Sequence, residues 1–438
     1  MLYHLRSFYG FVFSFLFISG LFALTGAELT AFDAETLGRA GTDISIARGI
    51  AALNTNPAGI TQTENKMFIL GYGQIFPSVR YKNRHRSDSA SSRISYIPQG
   101  WGGYLHNIDD HWYWGVGIVS LGGAISEFYL DQPYQHSLGD TSKIYNKSEI
   151  RVAKFIPAVA YKFNEELSVG LGLDIAGILF NLNTPRYMEG NPDLPTSYVY
   201  ADIEDAVGYG FGFHAGLLYS PWERWTFGLT YQSPINFSDI ETSSARVNMP
   251  FDPQTGRSGN DKYRARIYDF QWPQKVGFGA SYQATDRLLL ATDVKWINWK
   301  RAFKDLKVEF YDKKTNNAPS LPSEQKNVIP LDWKDQFVFS VAGEYLLTEK
   351  LTWRAGYNYG NNPIPSANTL PLMPLFTKHH IATGFSYEFN EYFQVNLGAE
   401  YALRETIHIR RSEVSPEFDN TRVKAGGIGV NMDFVFTF

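Results

Sequence analysis

The chain has 438 residues, 44 acidic side chains against 40 basic ones, a formal charge of -4 and no cysteine. A near-neutral balance without a basic stripe argues against nucleic acid as a partner, and the missing thiols exclude structural disulfides and thiolate catalysis. Length alone allows two or three soluble domains or one large barrel.

The first element is a targeting signal over residues 1–27. His4 and Arg6 precede an apolar run from Phe8 to Leu24, and Thr25-Gly26-Ala27 supplies the small residues that a signal peptidase reads, with the cut expected after Ala27. A retained anchor helix is the competing reading, but polar Glu28, Thr30 and Asp33 follow at once and no positive stop signal appears. No later stretch approaches about 20 uninterrupted apolar residues, so no transmembrane helix is expected beyond it.

Residues 28–64 alternate poorly and are rich in Ala, Gly and Thr. Such a segment is either a disordered leader or a plug held inside a lumen. Two clusters favour the plug, Gly38-Arg39-Ala40-Gly41 and Asn56-Pro57-Ala58-Gly59. Pro57 drives Asn56 towards extended backbone, while Ala58 and Gly59 let the turn approach a wall closely.

From residue 65 to 438 the chain reads as an all-β, transmembrane antiparallel barrel. A strand in lipid shows apolar side chains outward and polar or small ones inward with period two. Strands are expected near 66–82, 93–107, 112–124, 149–163, 167–181, 208–220, 224–238, 268–284, 287–300, 334–347, 350–360, 378–389, 392–407 and 421–438, about fourteen in all. Trp225, Phe227, Leu229 and Tyr231 point one way and Thr226, Gly228, Thr230 and Gln232 the other. In the strand from Phe393 the inward set is Gln394, Asn396, Gly398, Glu400 and Arg404, whose charges imply a wet lumen. The last strand sends Ile428, Val430, Met432, Phe434, Phe436 and Phe438 outward against Gly427, Gly429, Asn431 and Asp433. A terminal aromatic of this kind resembles the signal read by outer-membrane assembly machinery. Tight turns at Asp109-Asp110, Asn164-Glu165-Glu166, Pro221-Trp222-Glu223, Thr285-Asp286, Thr348-Glu349 and Asn390-Glu391 alternate with long polar loops. Short periplasmic turns and long outer loops are how bacterial barrels are built. A soluble sandwich or propeller also alternates, but would not combine a secretion signal, aromatic outer faces and this loop asymmetry.

In their order along the chain, several motifs resemble the FadL-type long-chain fatty acid transporters. These are the Gly-Arg-Ala cluster, the Asn-Pro-Ala turn, Trp114-Gly115-Val116-Gly117 running to Gly123, Gly212-Phe213-His214-Ala215-Gly216, Trp296-Ile297-Asn298-Trp299 before Phe303, Pro363-Ile364-Pro365 and the final aromatic strand. The resemblance implies a fourteen-strand barrel whose lumen holds an N-terminal hatch made of residues 28–64. It also implies a kinked third strand opening a lateral gap, capture of a hydrophobic ligand between outer loops, and sideways release after hatch rearrangement. Gly122-Gly123 is the natural place for that kink, unless the strand simply ends there. Pro157 in the next strand lacks an amide proton and must sit at a bulge or beside such a gap. The corresponding capture loops are 182–207 and 238–267, yet Asp193, Asp202, Glu204 and Asp205 make the first acidic. The most apolar outer loop is Pro363–Phe376, with Ile364, Leu370, Leu372, Met373, Leu375 and Phe376 either facing a ligand or packing among themselves.

No Gly-x-Ser-x-Gly, His-Glu-x-x-His or cysteine nucleophile is present. His379 and His380 fall on opposite faces of one strand, so shared metal ligation is not expected. Lumen charges Asp174, Glu344, Arg354, Glu400 and Arg404 are expected to pair across strands or hold the hatch. The reading is therefore a passive outer-membrane transporter without cofactor or metal. Its partners would be a fatty acid or hydrocarbon, outer-membrane lipid and the assembly machinery, and a monomer is expected. The alternatives are an open porin, which would have no hatch, and a barrel lipid hydrolase.

Overall fold

The computed structural model describes residues 24–63, 65–84, 88–132, 143–188 and 195–438. Most of the expected signal segment, residues 1–23, and Asp193 lie outside the described residues. Fourteen described strands form the wall. They are β1 Met67–Asn83, β2 Ile97–Asn107, β3 Trp112–Asp131, β4 Lys143–Lys162, β5 Leu167–Tyr187, β6 Tyr198–Trp222 and β7 Trp225–Gln232. After them come β8 Lys275–Thr285, β9 Leu288–Ile297, β10 Gln336–Thr348, β11 Leu351–Gly360, β12 His379–Asn390, β13 Phe393–Ile409 and β14 Thr421–Thr437. Each pairs antiparallel with the next, and β14 closes on β1 from Thr421 opposite Asn83 to Thr437 opposite Met67. Closure pairs backbone groups that hydrocarbon could not solvate.

Several strands run further outward than their sequence pattern announces. The segment 182–207 is not one loop: β5 continues to Tyr187 and β6 begins at Tyr198. The segment 238–267 is a hairpin, Ile240–Asp252 with Arg257–Tyr268, whose first arm continues the wall along the upper part of β6. A second outer hairpin, Asp305–Tyr311 with Gln325–Pro330, pairs with Arg257–Tyr268. Beyond the lipid these arms need no aromatic outer face. Arg246, Arg264 and Arg266 alternate with buried Val247, Tyr263, Ala265 and Ile267, and a search for lipid-facing stripes passes over them.

The inward and outward sets follow the period-two reading in β7, the lower part of β13 and β14. Asn396, Glu400, Asn431 and Asp433 are buried in the lumen, whereas Leu229, Leu397, Tyr401 and Ile428 face outward. Arg404 departs from it. A bulge between Ala402 and Glu405 adds one residue to β13 against β14, which flips every later side chain. Arg404 is thereby exposed and donates to Ser78 at 3.3 Å, while Ile407 and Ile409 turn inward. Aromatic contacts cluster at the short-turn end, including Trp112 with Tyr161 at 4.8 Å, Trp225 with Tyr282 at 4.7 Å and Phe393 with Phe436 at 5.2 Å, as in an interfacial girdle.

Leu397 is 47% exposed in the middle of β13 and touches lipid on this assignment. Leu397→Arg should therefore cost about 2 to 4 kcal/mol of folding stability in a bilayer. A denaturant titration in lipid vesicles showing no loss would reverse the inside–outside assignment.

Candidate functional site

The lumen is filled by the N-terminal segment, and the wall is shaped to seat it. Helix α1, Ala34–Gly38, starts on the Asp33 cap, whose carboxylate accepts from Thr36 N at 2.7 Å. Asp433 of β14 accepts from Ala34 N at 2.9 Å and from Trp101 Nε1 at 2.7 Å. A Cβ on Gly398 would stand 2.3 Å from the Ala34 carbonyl oxygen, so only glycine lets the hatch backbone lie against β13. Gly38 itself touches the backbone of Gly384 in β12.

Arg39, fully buried, donates to Glu35 at 2.6 Å and to Glu344 of β10 at 3.0 Å. Arg48 reaches the same two carboxylates at 2.9 and 2.7 Å, and Arg354 of β11 reaches Glu344 at 2.6 Å. Burial alone would raise the Glu35 carboxyl, but the charges of Arg48, Arg354 and Arg39 outweigh it and hold the group down at about 2. Ala40 follows with φ 53° and Gly41 with φ 78°, a left-handed pair that turns the chain across the lumen. There the Asp293 carboxylate of β9 accepts the amides of Asp43 and Ile44 at 2.7 and 3.0 Å, and Lys295 reaches Asp43 at 2.9 Å.

Helix α2, Ile50–Asn54, leads into a 3₁₀ turn, Pro57–Gln62. Asn56 is fully buried; its Oδ1 accepts from Ala58 N at 3.2 Å, and its Nδ2 donates to Ile44 O at 2.8 Å and Leu217 O at 3.2 Å. A Cβ on Gly216 would stand 1.9 Å from Asn56 Oδ1, and one on Gly170 2.3 Å from Pro57. Gly59 lies against the Ala47 carbonyl. The two hatch clusters thus occupy separate seats on opposite sides of the barrel. Gly38, Arg39 and Ala40 lie against β10–β13, while Asn56, Pro57 and Ala58 lie against β4–β6.

The wall has a break next to β3. Its ladder with β2 stops at Gly102 opposite Ile118, and the two segments rejoin only where Arg93 N donates to Glu127 O at 2.9 Å. Between these points the N-terminal segment takes the vacated edge: Glu28 pairs with Gly122, and Gly123 N donates to Ala27 O at 2.9 Å. On the β4 side a bulge at Leu121 shifts the register between Ser120 and Gly122. Gly123 has φ 145°, and a Cβ there would stand 2.0 Å from Ile150 O; on Gly122 it would stand 2.1 Å from Ala27 O. β3 itself continues to Asp131. Pro157 pairs with Val116, and on its other side the β4–β5 ladder lacks the pairs of residues 156 and 157 without losing register. Glu28 is held by Trp272 Nε1 and by Lys275, each at 2.9 Å.

The outer loop Pro363–Phe376 folds inward. Ile364, Leu372, Leu375 and Phe376 are buried, and Leu370 and Met373 are partly so. Ile364, Leu370, Met373 and Leu375 line an apolar cavity of about 500 Å³ together with Phe270, Phe303, Trp333 and Ala27. Leu372 belongs to a neighbouring cavity, whereas Phe376 lines neither. A second chamber of about 770 Å³ is lined by the first hatch residues, Glu28 and Leu29 among them, with Leu121, Lys275 and Lys295. The sequence gives no local signal for the aromatic cluster beside the first cavity, Trp272 edge-on to Trp299 at 5.7 Å and Trp299 tilted against Trp333 at 5.1 Å, because its members come from separate segments. It also gives Asp174 no named partner. That carboxylate meets Lys154 at 2.8 Å, His214 at 3.1 Å and Gln232 at 3.0 Å, fully buried. His379 and His380 lie on opposite faces, the first with Tyr357 at 2.6 Å and the second with Glu400 at 3.1 Å.

Residues 15–438 match the family described as "Outer membrane protein transport protein (OMPP1/FadL/TodX)". The chain belongs to this family. It is an outer-membrane transport protein and not an enzyme. Among its relatives, the long-chain fatty acid transport protein of Salmonella typhi is 24% identical, with 94% of each chain covered. Outer membrane protein P1 of Haemophilus influenzae is 25% identical, with 91% of each covered. The fold is similar to that of the P. putida toluene transporter TodX, with a TM-score of 0.77 at 20% identity over 96% of this chain and 99% of that one. A Pseudomonas aeruginosa FadL homologue gives 0.72 at 16% identity over 94% and 100%.

In this family member the cluster around Glu344 ties hatch to wall. Removing one partner of a buried ion pair strands the others and costs about 3 to 5 kcal/mol. Glu344→Gln should therefore loosen the hatch while the barrel stays folded, seen in planar bilayers as bursts of conductance that the wild type lacks. Equally quiet traces from both proteins would place the anchor elsewhere.

Proposed function

We propose that the barrel takes up hydrophobic small molecules by diffusion, long-chain fatty acids or monoaromatic hydrocarbons being the chemical classes its relatives' names point to. The observation that carries the reading is the position of Glu28, the first hatch residue: it pairs with Gly122 at the break between β2 and β3 and lines the chamber of about 770 Å³. The path runs from capture under Ile364, Leu370, Leu372, Met373, Leu375 and Phe376, past the hatch, and out sideways at Gly122 and Gly123 into the bilayer. Sideways exit suits an apolar solute because it never enters the water of the periplasm, and entry through a protein avoids the polar polysaccharide outside.

The rest of the organisation follows from this reading. The signal, 1–27, is removed, and the new amino terminus at Glu28 lies at the lateral break. The hatch, 28–64, is the gate in the barrel 65–438, with Gly38, Arg39 and Ala40 as one seat and Asn56, Pro57, Ala58 and Gly59 as the other. The aromatic C-terminal strand is the segment that the assembly machinery reads, and the closed barrel works as a monomer in outer-membrane lipid. An open porin is disfavoured because the hatch crosses the lumen.

Replacing Asn56 and Pro57 together by Ala removes the bonds to Ile44 and Leu217 and the preset turn. Uptake of a labelled fatty acid or toluene by cells carrying this variant should fall severalfold while the barrel remains heat-modifiable in the membrane. Unchanged uptake of both would mean that the hatch is no gate.

A further inference from the structure

The outward face of β13, β14 and β1 changes character towards its outer end. Phe76, Tyr401 and Ile428 are exposed and belong to the lipid-facing stripe. Beyond them Arg80, Lys82 and Arg84 follow at every second position of β1, and Lys424 and Arg422 do the same on β14. The bulge between Ala402 and Glu405 brings β13 into line. By reversing its faces it turns Ile407 and Ile409 inward and Arg404, His408 and Arg410 outward. Arg422 then stands directly opposite both Lys82 and His408, and Lys424 opposite Arg80. The His408 ring lies within Coulombic reach of Arg84, Arg410, Arg422 and Lys424. None of these outward positions carries a carboxylate. Glu405 of β13 falls on the inward side, opposite Ala425, and pairs with Lys378 at 3.4 Å. Among the described residues no cation of the patch forms an ion pair, and Arg422 Nε is buried without a hydrogen bond. Exposed Ser89 and Ser91 stand opposite Lys82 and Arg80 on the other side of β1.

Like charges placed directly opposite on neighbouring strands repel, so this arrangement weakens the sheet unless an anion lies across it. Strands stand about 4.8 Å apart and alternate residues about 7 Å, so the cations form a lattice that several phosphate oxygens can meet at once. Arginine forks bind phosphate with paired hydrogen bonds. The height of the patch selects the partner. Lys424 lies about 10 Å above Ile428 along the membrane normal, from the strand rise and a tilt near 40°, which is the level of outer-leaflet headgroups. A soluble polyanion would have no use for the exposed Phe76, Tyr401 and Ile428 directly below, whereas a lipid covers them. We propose that the outer ends of β13, β14 and β1 bind the phosphates of an outer-leaflet glycolipid, whose acyl chains lie on Phe76, Tyr401 and Ile428. The barrel closes between β14 and β1, so a phosphate bridging Arg422 and Lys82 also ties that seam. The inference is independent of the transport reading and needs only the orientation of the barrel in the outer membrane.

The test uses the full-length barrel in detergent, with bisphosphorylated lipid A as the probe and its dephosphorylated form as the comparison. Native mass spectrometry should show the wild type holding the bisphosphorylated form about tenfold tighter, the size expected of charge-assisted phosphate contacts. Arg80→Gln, Lys82→Gln, Arg422→Gln and Lys424→Gln together should remove that preference, and Arg422→Gln alone should already lower it. A control with Lys300→Gln, Arg301→Gln, Lys304→Gln and Lys334→Gln, exposed cations between β9 and β10, should keep it. As a second readout, the bisphosphorylated probe should raise the unfolding temperature of the wild type and leave that of the fourfold patch variant unchanged. The proposal is overturned if the wild type holds both forms alike, if the patch variants keep the preference, or if the control loses it equally, since any surface cation would then serve. It is also overturned if inorganic phosphate, at the same phosphate concentration, displaces the probe as well as unlabelled lipid A does, because the patch would then read a free anion and no lipid.

Discussion

In hydrocarbon a backbone amide or carbonyl without a partner costs several kcal/mol, and this constraint organises the molecule. It requires β14 to return to β1, and it makes any break in the ladder a place that something else must fill. Among the described residues the wall parts between β2 and β3 above Gly102 and Ile118, and the chain's own N-terminal residues take up the exposed edge. The plug and the break are therefore one design. On its other side β3 stays paired with β4 as far as Asp131, so the break concerns one edge of the strand only.

The hatch is held by close backbone approach and by buried charge. Inward glycines such as Gly216 and Gly398 leave no side chain between wall and hatch, so peptide dipoles and small side chains meet directly. The group of Glu35, Glu344, Arg39, Arg48 and Arg354 brings two carboxylates against three guanidiniums inside the lumen. Desolvation offsets much of the attraction in such a cluster, so its main effect is to fix where the hatch sits. A seat defined by position more than by net energy suits the gating role proposed for the hatch.

The sequence made the barrel legible because lipid enforces a strict alternation that few other environments demand, clearest in β7, the lower part of β13 and β14. The same rule explains its failures. Outside the bilayer the arms Ile240–Asp252 and Arg257–Tyr268 carry arginines outward, and the lipid-facing signature disappears although the strands persist. Arg404 was misplaced because one bulged residue reverses the faces of everything after it, and nothing local to Leu403 or Arg404 marks the insertion. The hatch residues were visible as small-residue clusters, but not their division between opposite walls. Asp174 was legible as a lumen charge, but its partners Lys154 and His214 were not, since which strands bring their side chains together is a property of the assembled fold.

The central claim is that the N-terminal residues stand in for a strand partner at the break. Backbone hydrogen exchange across β3 measures this directly. The account predicts that exchange at Gly122–Gly123, the stretch of β3 that the N-terminal segment covers, is slow in the resting barrel and speeds up when residues 28–33 are deleted or a hydrophobic ligand is added, while residues 112–117, paired on both sides, do not change. Exchange at Gly122–Gly123 that is indifferent to both treatments would show that this edge never depended on the hatch.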